Sequence, residues 1–354
     1  MWKIRWYVAV HVLVMTAIFC FALLGIQFIF AFMHESGFIG RGAYTTFMAL
    51  EYVIFNLPSF LTIALPIIGL MGSLMSLGLL AGRSELIAMR AAGISIRQIA
   101  EGVMIAGIVI MLVHFVFQAF LGPLGGRYAD LHRTMALNNR AGVLLTSKAI
   151  WLKDGDNIDY IGSATQDGHL RNVMQYRLKD GVLKAIAVAK SAQHQGQTWQ
   201  LNDVTTTKLS MQKVTRVQQA TQKHVKLVAP NLLKVVYSDP TELTLVGLND
   251  YIHYREANHL EADSYILAWW KLIFQPISTL IMVLLAVPFV FGPLRSSTVG
   301  LRLLIGTGLG FVFYIVNQFF GSFSLVYDLA PIWGVLLPVL VFGALMIGLI
   351  WYVN

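Results

Sequence analysis

The sequence has few charged residues and a single cysteine, and both shortages limit what the protein can be. Of its 354 residues, 12% are charged and 56% are hydrophobic, a composition too apolar for an ordinary water-soluble protein. Because Cys20 is the one cysteine, a disulfide framework and a cysteine metal site are both excluded. The first apolar run is too long and lacks a small-residue cleavage site, so no cleavable signal peptide is expected.

Motifs of catalysis are also missing. No lysine follows a glycine, so the chain has no Walker A phosphate loop and no ATPase of its own. HExxH, paired cysteines and GxSxG are absent as well. The sequence therefore predicts a non-catalytic protein without a metal site or a directly bound cofactor.

What the sequence has in abundance is long hydrophobic runs. Runs of about 20 apolar residues, enough to cross roughly 30 Å of hydrocarbon, recur along the chain. They occupy Tyr7–Met33, Phe55–Ala81, Glu101–Leu121, Tyr265–Val290, Leu301–Phe320 and Pro331–Val353. The sequence predicts an α-helical polytopic membrane protein with six transmembrane helices. Small residues in the second run, among them Gly69, Gly72 and Gly78, favour close helix packing.

Basic residues predict the orientation of these spans. They concentrate at the amino terminus and in alternate connections, at Lys3, Arg5, Arg83, Arg90, Arg97, Arg295 and Arg302. The opposite short loops hold one cation, Arg41. Because cytoplasmic loops are enriched in lysine and arginine, both termini are predicted to be cytoplasmic.

Between the third and fourth runs the composition changes to that of a β domain. Ile150–Lys153 and Ile158–Ile161 flank a turn, and Asp180-Gly181 separates two further strand-like segments, a hairpin signal. We predict three parts, namely residues 1–122 with spans one to three, an external all-β, jellyroll-like domain at 123–263, and residues 264–354 with spans four to six. Gly122-Pro123 is predicted to end the third span, and Leu243–Glu256 to return to the membrane as a helix.

A short charged segment at residues 84–92 lies between the second and third runs. Ser84 is a candidate N-cap, Glu85 suits the positive end of the helix dipole, and Gly93 is a candidate left-handed terminator. Leu86, Met89 and Arg90 share one face by spacing. Two interpretations stay open, a loop with topology-setting arginines or a lever moved by another protein.

Several runs of residues resemble a known family over nearly the whole length. They are Ala81–Gly93, Trp151–Gly155, Lys271–Pro276 and Phe291–Ser296, with Gly310–Tyr314 and Leu325–Tyr327 also similar. The chain resembles the LptF/LptG family of lipopolysaccharide export permeases, more closely its LptG type. The resemblance implies a permease subunit of an ATP-driven ABC-type transporter in a Gram-negative inner membrane. It would extract lipopolysaccharide and pass it to a bridge of periplasmic β-jellyrolls.

The resemblance also implies partners. They are an LptF-type permease relative, a dimeric LptB-type ATPase that holds ATP and Mg²⁺, and an LptC-type single-span protein. No nucleic acid is implied. The short segment would be the coupling helix that engages the ATPase, through Arg83, Glu85, Leu86, Met89 and Arg90.

The first and fifth spans would line the lipid cavity. Candidate wall residues are Leu24, Gln27, Phe28, Phe311 and Tyr314, and candidate cations for lipid phosphates are Arg41, Arg133, Arg140 and Lys271. Where the family has lysines at the outer end of span one, this chain has Phe32-Met33-His34-Glu35. We therefore expect the apolar wall to matter more here than phosphate capture.

Two other functions compete with this interpretation. A structural or assembly protein would bind a periplasmic partner through its β domain, while its spans only anchor it. For the β domain itself we expect strand addition at an edge, with another periplasmic β protein contacting at least one of the strands Ile158–Ile161 and Val214–Gln218. An ion-coupled lipid flippase would need an intramembrane ionisable relay, for which His114 is the lone candidate because no span has a carboxylate in its middle. Co-purification of an ATPase would distinguish the transporter permease from both the structural protein and the flippase.

Overall fold

The computed structural model describes residues 2–138, 144–146, 149–165, 169–195, 198–210, 213–225, 227, 240, 243–292 and 297–353. The chain separates into two compact units. The helical unit comprises Met1–Ile39, Thr46–Ala129 and Asp263–Asn354, and the β unit comprises Gly40–Thr45 and Asp130–Ala262.

Long apolar helices form the helical unit. The helices among the described residues are α1 (Trp2–Ser36), α2 (Thr46–Gly82), α3 (Glu85–Ala91), α4 (Ile96–Val116), α5 (Gly122–Asn138), α6 (Leu245–Ala257), α7 (Asp263–Phe291), α8 (Val299–Val326) and α9 (Pro331–Val353). Within the described residues, α1, α2, the continuous α4–α5 stretch, α7, α8 and α9 are long and apolar enough to cross a membrane. The prediction of six spans is confirmed.

Helix α2 lies at the centre of this unit and packs against α1, α4, α7 and α8. Its small residues allow the close approach that the sequence predicted. A Cβ atom on Gly72 would lie 2.6 Å from the Cα atom of Thr16 in α1, a distance that no side chain tolerates. Glycine at this position therefore brings the backbones of α1 and α2 together.

Gly122-Pro123 does not break the helix of the third span, contrary to what its composition indicates. A five-residue π-helical segment, Phe117–Leu121, joins α4 directly to α5, which runs on to Asn138. The Gly122 N–H donates to the Phe117 carbonyl oxygen, five residues back, so the hydrogen-bond register has already shifted where Pro123, which has no N–H, enters the helix. Gly125 serves packing, since a Cβ atom there would collide with the Phe55 carbonyl oxygen.

The described strands of the β unit form one antiparallel sheet. Its strands are β1 (Leu144–Thr146), β2 (Ile150–Asp154), β3 (Asn157–Thr165), β4 (His169–Lys179), β5 (Val182–Gln195), β6 (Thr198–Leu209) and β7 (Val214–Val225). From β3 to β7 each strand pairs with its neighbour in sequence, and β1 and β2 both pair with β3. The prediction of an inserted all-β domain is confirmed, and its described strands are connected as an open meander.

Local turn chemistry explains the hairpins that the sequence predicted. Asp180 and Gly181, between β4 and β5, have φ angles of 55° and 73°, as a two-residue turn with two left-handed positions requires. The returning helix is also confirmed, with Thr244 as the N-cap of α6 through its hydroxyl and the Gly247 N–H.

In four neighbouring strands the alternation of buried and exposed residues shifts by one residue, and the four shifts lie side by side across the sheet. In β3 both Ile161 and Ala164 are buried in the same core, although residues three apart in a regular strand point to opposite faces. Neighbouring strands show the same spacing, at Leu170 and Val173, Ala189 and Ala192, and Leu201 and Val204. Asn172 and Asp203 adopt left-handed φ angles of 53° and 52° on this line. Such irregularities bend a sheet, and simple alternation in the sequence does not reveal them.

One of the two predicted strand edges is wrong. Ile158–Ile161 lies in β3, which pairs with β2 on one side and with β4 on the other. Val214–Gln218 lies in β7, which is the last strand of the described sheet and pairs with β6. The edges within the described residues are therefore β7 and the β1–β2 side.

A carboxylate lies in the core face of this sheet. Asp159 is fully buried, and its Oδ1 atom accepts a hydrogen bond of 3.0 Å from Gln175 Nε2. Its Oδ2 atom has no hydrogen-bond partner among the described residues. Burial raises the pKa of the Asp159 carboxyl to about 6, because the charged form is poorly solvated.

The β unit should therefore lose stability as the pH rises. The folded-state pKa of Asp159 exceeds the ordinary value, so the stabilisation is complete below about pH 4 and is lost through about pH 6, by about 2 to 3 kcal/mol. Asp159→Asn removes the titration. Hydrogen exchange of the β3 and β4 amides should show the variant better protected than the unsubstituted protein at about pH 7.5 but not at about pH 4.5. An equal difference at both pH values would contradict this assignment.

Candidate functional site

Helix α3 forms in the predicted place and ends as its sequence predicted. Gly93 has a φ angle of 82°. Its N–H donates to the Arg90 carbonyl oxygen at 3.0 Å, and the Ile94 N–H donates to the Met89 carbonyl oxygen at 3.1 Å. This pair of bonds is the Schellman arrangement, which satisfies carbonyl groups at a helix end.

The predicted N-cap is wrong. Ser84 has a left-handed backbone with φ 59° and makes no side-chain cap bond, because the chain turns there from the end of α2 into α3. An N-cap hydroxyl requires an extended backbone. The sequence signal that was missed is Ser95 with Gln98, which form a capping box at the start of α4.

The two faces of α3 differ from the predicted grouping. Leu86 is only 3% exposed and belongs to the core of the helical unit, and Met89 packs against the same core. These two residues anchor α3 to the core of its own unit, and Met89 remains partly exposed. The exposed side presents Arg83, Arg90 and Ile87, and Ile87 is 60% exposed.

Glu85 contacts a residue that the sequence did not single out. The Tyr7 hydroxyl of α1 donates a hydrogen bond of 2.7 Å to Glu85 Oε2. Nearby in sequence, Arg5 of α1 forms an ion pair of 2.6 Å with Glu101 of α4. The amino-terminal turns of α1 are thus connected by polar contacts to both helices that flank the turn at Gly93.

Arg302, interpreted from the sequence only as a topology-setting cation, also connects two helices. Its side chain is nearly buried, and its Nη1 atom donates a hydrogen bond of 2.7 Å to the carbonyl oxygen of Gly78. A Cβ atom at Gly78 would lie 2.8 Å from Arg302 Cδ, so glycine makes room for this arginine. The contact joins α8 to the last turns of α2, close to α3, and a cation is favourable at a helix carboxyl end.

The predicted apolar wall is distributed over α1 and α8, which both pack on α2. Leu24, Gln27 and Phe28 on α1 are half-buried. Phe311 and Tyr314 on α8 are 60% and 42% exposed. Gly306 and Gly310 of α8 lie against α2, where added Cβ atoms would meet Leu74 and Ile67. The exposed bulky side of α8, which bears Phe311 and Tyr314, is only partly covered by the helices of its own unit.

The predicted cations do not all belong to one unit. Lys271 lies in the helical unit, where its Nζ atom is 3.6 Å from the position of a Cβ atom on Gly321 of α8. Arg41 and Arg133 belong to the β unit. Arg140 lies outside the described residues. Among the predicted cations of the helical unit, Lys271 lies beside α8, one of the wall helices.

Polar side chains between the spans hydrogen-bond to neighbouring helices. His114 of α4 is fully buried, and its Nδ1 atom is 2.6 Å from Thr279 Oγ1 of α7. Gln118 contacts Gln275 of the same helix. Among the described residues no group of three histidine, cysteine or acidic side chains is placed to hold a metal ion.

Comparison with known proteins finds a matching family and similar proteins for this chain. The family described as "Lipopolysaccharide export system permease LptF/LptG" matches residues 6–352. Lipopolysaccharide export system permease protein LptG of Escherichia coli (strain K12) is 34% identical over 322 residues, 90% of this chain and 89% of that protein. The protein of the same name from Haemophilus influenzae is 29% identical over 333 residues, 93% of this chain and 92% of that protein.

Proposed function

The chain belongs to the LptF/LptG family of lipopolysaccharide export permeases, and from this premise we propose that it is the LptG-type subunit of an ATP-driven ABC transporter. It would extract lipopolysaccharide from the inner membrane and deliver it to a periplasmic bridge of β-jellyrolls. The observation that supports this best is the match over both units together with an anchored helix, α3, whose outer face is exposed.

The proposed complex contains an LptF-type relative, an LptB-type ATPase dimer and an LptC-type single-span protein. ATP and Mg²⁺ would bind in the ATPase. With both termini in the cytoplasm, as the basic residues favour, α3 lies on the same side of the membrane as the ATPase. Its exposed Ile87, flanked by Arg83 and Arg90, is an apolar contact within a basic rim.

Movement of α3 would reach the lipid wall through contacts within the helical unit. Leu86 and Met89 attach α3 to the core. Arg302 attaches α8 to the end of α2, and α8 bears the exposed Phe311 and Tyr314. A rigid connection of this kind suits a subunit that converts a partner's ATP hydrolysis into a change at a lipid-facing surface.

The experiment that tests this function is purification of the full chain in mild detergent. We expect an LptB-type ATPase and an LptF-type permease to co-purify, and ATP to be required for release of lipopolysaccharide from proteoliposomes. Recovery of a periplasmic β protein without any ATPase would support the structural alternative instead. Lipid transport driven by a proton gradient without ATP would support the flippase alternative.

The β7 edge provides a second prediction. An unpaired edge strand can accept a strand from another chain through main-chain hydrogen bonds. Photo-crosslinkers at positions in Val214–Gln218 should therefore capture a periplasmic β protein. The same crosslinkers in Ile158–Ile161 are the matched control, because β3 is already paired on both sides. Capture from β3 but not from β7 would refute strand addition at this edge.

A further inference from the structure

Tyr7 and Glu85 are 78 residues apart in sequence, yet they form the polar contact between α1 and α3 described above. The phenol hydroxyl donates to Glu85 Oε2 at 2.7 Å. The Tyr7 ring also lies 4.2 Å, centroid to centroid, from the His11 ring one turn along α1. The ring therefore packs against its own helix, α1, while its hydroxyl contacts Glu85 of α3.

The contact is placed where a movement of α3 would be transmitted. Leu86 fixes one side of α3 in the core, and Glu85 is the neighbouring residue at the first turn. The Arg5–Glu101 ion pair of 2.6 Å ties the same part of α1 to α4. Glycine at position 102 allows this approach, since a Cβ atom there would lie 2.8 Å from the Arg5 carbonyl oxygen. The start of α1 is therefore fastened on both sides of the Gly93 turn.

Tyr7 lies at the margin of the bundle and not in its core. The residue is 38% exposed, so its ring is only partly covered. Phenylalanine could make the same ring contacts, and what tyrosine adds is the hydroxyl. A hydrogen bond to a carboxylate is stronger than one between neutral groups. The hydroxyl uses Oε2 and leaves Oε1 of Glu85 unengaged by the described residues.

We propose that Tyr7 is a positioning residue that makes α1 follow α3. Glu85 bridges two groups, with the Tyr7 hydroxyl on one oxygen and a cationic side chain of the ATP-hydrolysing partner on the other. Displacement of α3 by the partner then pulls the amino-terminal turns of α1 as well as α2. This inference rests on the proposed function, and it adds a direct path from the ATPase to the first wall helix.

Movement of α1 can be followed by chemical labelling of Cys20. Cys20 lies on α1, is half-buried and packs against the core of the helical unit, so a shift of α1 alters its accessibility. The complete complex with its ATPase is treated with N-ethylmaleimide, with and without ATP and Mg²⁺, and labelling of this chain is followed by mass. Tyr7→Phe is the test variant. Tyr352→Phe is the matched control, because Tyr352 is 84% exposed near the end of α9.

We expect the unsubstituted protein to show an ATP-dependent change in the rate of Cys20 labelling. Tyr7→Phe should recover the ATPase normally but reduce that change by about half or more, whereas Tyr352→Phe should leave it intact. Glu85→Gln keeps a side-chain oxygen acceptor for the Tyr7 hydroxyl, so Tyr7→Phe combined with it should still lower the labelling response of that variant.

Two results would overturn the inference while leaving the proposed function standing. One is an ATP-dependent labelling change in Tyr7→Phe equal to that of the unsubstituted protein. The other is a complex that hydrolyses ATP and transports lipid with no labelling change at Cys20. Failure of the unsubstituted chain to recover any ATPase would instead contradict the proposed function, and with it this inference.

Discussion

Replacing Glu85 with alanine should strongly reduce recovery of the ATPase and transport-linked ATP turnover, while membrane insertion stays intact. Glu85 occupies the first turn of α3, beside the exposed Arg83 and Ile87, and is already held by Tyr7. Removing one member of a partly desolvated charge pair costs about 2 to 5 kcal/mol. The lower bound corresponds to roughly a 30-fold loss of affinity. Co-purification and ATPase assays at matched protein levels measure it.

Two further variants separate the possible causes. Glu85→Gln retains an acceptor for the Tyr7 hydroxyl but loses the charge. If its effect is smaller than that of Glu85→Ala, the loss that Glu85→Gln does cause is the part due to the partner's cation. Ile87→Ser removes the exposed apolar contact without touching the core and should also reduce ATPase recovery. Leu86→Ala should instead destabilise the protein itself, by about 2 to 5 kcal/mol, because Leu86 is a core residue. Normal growth and normal ATPase recovery with Glu85→Ala would refute the coupling role.

Phe311→Asp should reduce lipopolysaccharide crosslinking more than Arg41→Ala does. Phe311 belongs to the exposed bulky side of α8, where acyl chains would contact the protein. A carboxylate in the middle of a transmembrane helix costs about 2.5 to 3.5 kcal/mol and repels lipid phosphates. A photo-crosslinker at Phe28 on α1 reports lipid contact from a different helix than the one substituted.

The control for a general effect of charge is Val341→Asp. Val341 lies on α9 and is 51% exposed, so it introduces the same carboxylate on a span that is not part of the proposed wall. Crosslinking should persist in this variant. If Arg41→Ala has the larger effect at matched protein levels, phosphate capture dominates, and the replacement of the family's lysine region by Phe32–Glu35 has been misinterpreted.

Features set by residues close in sequence could be predicted before the structure. The six spans follow from the length of each apolar run, because a hydrocarbon core of roughly 30 Å requires about 20 residues. The turn at Asp180-Gly181 and the end of α3 at Gly93 depend on φ angles that few residues adopt. The family resemblance rested on similarly local runs, and the match over residues 6–352 confirms it.

The site depended on contacts that no local pattern contains. Spacing places Leu86 and Met89 on one face of α3, but only the packing of α3 on the core determines that this face is buried. Tyr7 and Glu85, or Arg302 and Gly78, are brought together by helices far apart in sequence. The alternation of apolar and polar residues in β3 could not show whether β3 is an edge strand or an interior strand, because both kinds of strand bury one face.

The two largest errors have the same physical origin. Gly122-Pro123 usually breaks a helix, yet a π segment and close packing on α2 let the helix continue to Asn138. Ser84 has the composition of an N-cap, yet the turn out of α2 forces a left-handed backbone there. Composition and periodicity determined which segments cross the membrane and which form the sheet. Which side of each segment is exposed was decided by tertiary packing, because burial depends on the neighbour that covers a face and not on the face itself.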